Sequence, residues 1–117
     1  MSSLPPPARW DIVWIDFGVP IGHEQGKDRP ALVVSVDGFN KATGLVTVCP
    51  FSSRSGIKYP SEVAFPSLPG ILDSGGVLMV QQIRTLSQVR IRRIAGPVKD
   101  PVLQRLVAEA LKVLLPY

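Results

Sequence analysis

Residues 18–36 read GVPIGHEQGKDRPALVVSV, a polar loop that passes directly into an apolar strand. The loop carries Glu24, Lys27, Asp28 and Arg29, and the strand is Ala31–Val36. Pro30 fixes its own φ and restricts Arg29 to extended backbone, so the guanidinium sits where loop becomes strand. Charged groups on a positioned backbone, beside a loop that can order over a ligand, are what a binding or catalytic site requires. Taken alone, Arg29 also reads as a solvated charge at a strand end. The rest of the chain decides between the two.

Upstream of this stretch, WDIVWIDF (10–17) has the aromatic and β-branched content of a strand. Asp11 and Asp16 fall on opposite parities, which predicts a strand buried on both sides with polar ends. Residues 1–8 are small or Pro-rich and read as a flexible N-terminal arm, leaving 9–117 as a single domain. Downstream, DGFNKATG (37–44) predicts a short antiparallel connection with one helical turn inside it. The strand Leu45–Cys49 is expected to stop at Pro50, and a polar, basic loop, FSSRSGIKYP, follows it. A short strand around Glu62–Phe65 leads into the turn PSLPGILDSGG. Residues 77–86 read as a strand kinked at its two glutamines, and 89–98 are ambiguous between a helical turn and an edge strand.

The last element carries the clearest signals. Asp100 can cap, Pro101 suits the first helical position, and Pro116 prevents continuation. Val102, Leu106, Val107, Ala110, Val113 and Leu114 recur at helical spacing, which predicts a helix closing the core. Interior loops are too short to hold crossover helices, so the strands pair antiparallel. The expected fold is mainly β with a C-terminal helix: a small, strongly bent antiparallel sheet or open SH3-like barrel.

Composition bounds the function. The 117 residues suffice for one core, and 45% apolar residues argue for a packed globule. No apolar run approaches the roughly 20 residues that span a bilayer, and MSSLPPPAR lacks the features of a signal peptide. A lone Cys49 forms no internal disulfide, reads as inert core, and leaves the cytoplasm as the expected compartment. One Cys and one His argue against a structural zinc site within one chain. A net charge of +4 and a pI near 9.6 favour an anionic partner.

Neither a paired-carboxylate site nor a Gly-rich phosphate loop is signalled. Arg29, Lys27, Ser52, Ser53, Arg54 and Lys58 do suit a phosphodiester: guanidiniums bind phosphate in forked geometry, and loop hydroxyls donate to its oxygens. Trp14, Phe17, Phe51 and Tyr59 lie nearby in sequence, where aromatic rings could stack on unpaired bases or fill the core.

Three motifs then converge. DIVWIDFGVPIGHEQGKDRPALVVS resembles the opening of the MazF/PemK family of toxin endoribonucleases, in which G-x-E-Q precedes R-P-A/V. TVCPFSSRSGIKYPSEV is similar to that family's second motif, and GGVLMVQQIRTLS to its third. The resemblance spans about residues 9–115. It implies a CcdB/Kid/MazF-like barrel acting as a homodimer, which cleaves single-stranded RNA at short motifs without metal or other cofactor. It also implies a MazE-like acidic antitoxin as partner, a bacterial cytoplasmic location and no membrane association. Arg29 falls on the family's catalytic arginine, Ser52 on its catalytic Thr/Ser, and Glu24 on a loop glutamate implicated in activity. Lys27, His23, Phe17, Ser53, Arg54, Lys58 and Tyr59 would line the RNA groove.

Several positions depart from the pattern. Ser52 replaces the commoner Thr, His23 a frequent Ser, Trp10 a usual Gly, and Gln81 a frequent acid, so an acid–base role at position 81 is absent. Two other functions fit the fold: a non-catalytic RNA- or peptide-binding barrel, and a CcdB-like gyrase-inhibiting toxin. The latter depends on a Trp-Gly-Ile tail, whereas this chain ends Leu114-Leu115-Pro116-Tyr117.

Overall fold

A computed structural model of the chain describes residues 4–18 and 28–115. Strands β1 (Asp11–Ile15), β2 (Arg29–Val33), β3 (Leu45–Ser52), β4 (Glu62–Phe65), β5 (Gly76–Met79), β6 (Arg84–Ser87) and β7 (Ile91–Pro97) form one antiparallel sheet. Helix α1 (Asp37–Thr43) joins β2 to β3, and α2 (Pro101–Leu114) ends the fold. The strand order is β4-β5-β3-β2-β1-β7, with β6 also on β3. Among the described residues β4 and β7 do not pair with each other, so the sheet is strongly bent but open.

The bend originates in β3. Its first half, Leu45–Val48, pairs with β6, and its end, Phe51–Ser52, pairs with β5. The expectation that this strand stops at Pro50 is therefore corrected: it runs to Ser52. Proline is tolerated there because Cys49 and Pro50 lie where that edge of β3 passes from one partner to the other. The kink expected at the two glutamines is a full break, a 3₁₀ turn at Val80–Gln82 between β5 and β6. Residues 91–97, ambiguous in sequence, form a strand against β1. The connection at 37–44 holds seven helical residues, with Gly44 as a left-handed cap at φ 69°.

Alternation along the central strands builds two cores, one on each face of the sheet. Ile12, Leu32 and Cys49 join the core beneath α2, while Val13, Ile15, Ala31, Val33 and Val48 form the second. Burial pushes the Cys49 thiol up to about 12, which makes it unreactive. Of the N-terminal stretch, Leu4 packs on the second core, and the Pro7 carbonyl accepts a hydrogen bond from buried Asn40 at 3.1 Å. Trp10 adopts a left-handed backbone, with φ 78°. Its N–H donates to Val33 and its carbonyl accepts from Val98, both at 2.8 Å, so neighbouring strands hold the strained residue in place.

Helix α2 begins as expected, with the Asp100 carboxylate accepting from Val102 N at 2.9 Å and Pro101 in the first turn. The predicted apolar side is wider than the core needs. Leu103, Val107, Ala110 and Leu114 pack inward, whereas Val102, Leu106 and Val113 remain exposed. The exposed stripe borders a groove of about 330 Å³ shared with Ile57, Val63 and Ala64.

Candidate active site

The β2–β3 pairing sets Ala31 opposite Pro50, Leu32 opposite Cys49 and Val33 opposite Val48. The ladder ends there; extended by two residues, the same register would set Arg29, at the start of β2, opposite Ser52, at the end of β3. Residues opposite one another in an antiparallel pair project to the same face. That face is the second core: Ile15, which pairs with Arg29, and Ala31 both belong to it. Phe17 packs at its margin, and the Arg84 guanidinium lies 5.5 Å from the Phe17 ring centroid. Arg84 itself pairs with Val48 on the same face. A cation, a hydroxyl, an aromatic ring and a second cation therefore share one rim of the sheet.

Ser52 is held from two sides. Its Oγ accepts from Arg54 N at 3.1 Å, which leaves the hydroxyl proton to be donated. On the β5 side, a Cβ placed on Gly76 would lie 2.1 Å from the Ser52 carbonyl oxygen. Only glycine permits this approach, which explains a glycine in the first position of a strand that otherwise reads apolar.

Past Ser52, the loop is organised by Glu62, whose side chain is fully buried. Lys58 N and Tyr59 N donate to Oε1 at 2.8 and 3.3 Å. Arg54 Nη2 and Gln81 Nε2 donate to Oε2 at 2.5 and 2.8 Å. Burial would push this carboxyl up, but the donors from Lys58, Gln81, Arg54 and Tyr59 together outweigh it and hold the pKa down at about 2. Gln81 also accepts from Ser61 Oγ at 2.8 Å, so its amide is used at both ends. The Gln at this position thus has a structural reason: an acid there would face the Glu62 carboxylate.

The ten candidate residues divide by position. Glu24, His23 and Lys27 lie outside the described residues. Arg29 starts β2, Ser52 ends β3, and Phe17 packs against the second core. Ser53, Lys58 and Tyr59 are exposed on the following loop, with Lys58 Nζ 5.7 Å from the Tyr59 ring centroid. The Arg54 guanidinium is turned inward onto Glu62 and donates to the Gly56 carbonyl at 2.8 Å. Sequence reasoning missed Glu62, although an acid flanked by strand residues directly after a basic loop was its visible signal. It also missed Arg84, whose sequence context gives no hint that it folds beside Phe17.

Fold and rim define a class: a small, open β-sheet protein with one capping helix, with a guanidinium at the start of β2 and a hydroxyl at the end of β3. Residues 8–115 match the family of PemK-like, MazF-like toxins of type II toxin–antitoxin systems, and the chain belongs to that family. It is 34% identical over 98 residues to the endoribonuclease toxin ChpB of Escherichia coli strain K12, covering 82% of this chain and 84% of that protein. It is 31% identical to the endoribonuclease toxin MazF of the same strain, over 74% of each. Among solved structures, a MazE–MazF crystal structure from Deinococcus radiodurans superposes with a TM-score of 0.75 at 30% identity, covering 96% of this chain and 97% of that one. A MazF structure from the same organism gives 0.71 at 35% identity, covering 97% and 99%.

Proposed function

We propose that this chain is an endoribonuclease toxin that cuts single-stranded RNA by attack of the ribose 2′-OH on the adjacent phosphate. What supports this reading, beside the family match, is the β2–β3 register, which extended past Ala31–Pro50 would set Arg29 opposite Ser52. Arg29 meets the charge that develops on the five-coordinate phosphorus, because a group with a pKa above about 12 is a poor proton donor but a strong electrostatic partner. Ser52 donates to a phosphate oxygen or positions the 2′-OH. Glu24 orients Arg29 or accepts the proton, with His23 as the other candidate base and Lys27 as a phosphate contact.

Phe17 and Tyr59 offer stacking surfaces, while Ser53 and Lys58 meet the backbone of the strand. Arg54 acts by shaping the loop through Glu62. The reaction needs no metal. Its products are a 2′,3′-cyclic phosphate and a 5′-hydroxyl, and DNA, lacking the attacking hydroxyl, resists.

The toxin acts as a homodimer in the bacterial cytoplasm and is neutralised by an acidic, MazE-like antitoxin. The exposed apolar stripe of α2 supports the dimer, since monomers rarely leave contiguous apolar patches uncovered. No helix of the described residues is long and apolar enough to cross a membrane.

Single-stranded RNA incubated with the protein in EDTA, followed by end-group analysis, tests the reading. Cyclic phosphate and 5′-hydroxyl ends are expected. Intact RNA would point to the non-cleaving barrel, and 5′-phosphate ends would require a different attacking group.

A further inference from the structure

Ile15 and Arg29 form the outermost rung of the β1–β2 ladder. One residue further, the same register would set Asp16 opposite Asp28, two like charges just beyond the last rung. Like charges directly opposite in an antiparallel pair drive strands apart. Arg92, from β7, spans them: its Nη2 is 3.4 Å from Asp16 Oδ2 and its Nε 3.5 Å from Asp28 Oδ1. Asp16 has other ties, its Oδ1 accepting from Gly18 N at 2.8 Å, its N–H donating to Arg90 O at 3.0 Å and its carbonyl accepting from Arg90 Nη1 at 3.4 Å. The neighbouring Phe17 carbonyl accepts from Arg84 Nη1 at 3.1 Å. On the returning side, Asp28 precedes Arg29 directly.

Alternation along the strands puts Asp16 and Asp28 on the face opposite that of Phe17 and Arg29. Arg92 therefore meets the two carboxylates on the face away from Arg29.

We propose that Arg92 is a positioning residue for the Arg29 site: its guanidinium bridges the Asp16 and Asp28 carboxylates and fixes the backbone from which Arg29 projects. This rests on the reading of Arg29 as the group that meets the phosphate. All three side chains are part-exposed, so the bridge adds little to global stability and is screened by salt. Its effect belongs in the geometry of the site, where small misplacement slows a reaction without weakening binding.

Arg92→Ala is expected to lower kcat roughly tenfold and leave KM within about twofold. In an Asp28→Asn background the same substitution should cost less than about twofold, because the repelling pair is gone. Arg92→Lys should restore only part of the rate, since an ammonium satisfies one carboxylate where the fork satisfies two. A protein-only readout runs beside these: trypsin cleavage after Lys27 should be faster in Arg92→Ala at low salt, and wild type should approach it at high salt. That readout stands even if wild type proves not to cut RNA, so failure of the nuclease reading is distinguishable from failure of the bridge. An equal loss in both backgrounds carried by KM, with the salt slope of RNA binding reduced by about one, would make Arg92 a phosphate contact and overturn the proposal. Unchanged kcat together with unchanged trypsin cleavage would overturn it as well.

Discussion

Glu62 carries its charge inside the protein because four donors meet its two oxygens. Its folded pKa of about 2 lies below the unfolded value, so the stabilisation is complete above about pH 4.5 and is lost as pH falls toward 2. Glu62→Gln should therefore be least stable, relative to wild type, at neutral pH, by about 2–4 kcal/mol, and the two melting curves should converge near pH 2. A gap in Tm that stays constant from pH 7 to 2 would contradict this account of the loop. Gln81→Glu puts a second carboxylate against the first; it should lower Tm at neutral pH and recover on acidification. Residue identities of this kind were only half legible in the chain. Glu62 and Gln81 were visible inside recognisable motifs, but their partnership joins β4 to the turn after β5, and such a contact leaves no local pattern.

Strand β3 serves three neighbours, and that sharing brings Ser52 to the rim. Gly76→Ala drives a methyl into the Ser52 carbonyl, so β5 or the start of the loop must move. The expected result is a loss of about 1–3 kcal/mol, with RNA cleavage reduced in the same variant when measured well below its Tm. Cleavage at the wild-type rate would mean that the Ser52 backbone is not set by this contact. Elements with local signals were readable: Asp100-Pro101 opening α2, the glycine closing α1, and Pro30 locking Arg29 into β2. The extension of β3 through Pro50 was not, because a change of pairing partner is a property of the sheet. The outward stripe of α2 reads as core in the sequence for a similar reason. Helical periodicity reveals an apolar side but says nothing of how much of it the sheet covers.

At the scale of the molecule, a pI near 9.6 favours acidic partners. Binding of single-stranded RNA and of an acidic antitoxin segment should weaken steeply as salt rises; indifference to ionic strength would remove charge as their basis. Light scattering should give twice the 12.7 kDa of one chain, and a monomer at micromolar concentration would leave the α2 stripe unexplained. The open bent sheet and its family were legible from three motifs acting together, since their spacing fixes which strands carry Arg29 and Ser52. The central claim is that these two side chains, at the start of β2 and the end of β3, make the cutting site. Single-turnover cleavage of RNA in EDTA by Arg29→Ala, with circular dichroism to establish its fold, tests that claim most directly. A rate lower by about 10²–10³ in a folded protein is predicted; cleavage near the wild-type rate would contradict it and place the chemistry elsewhere.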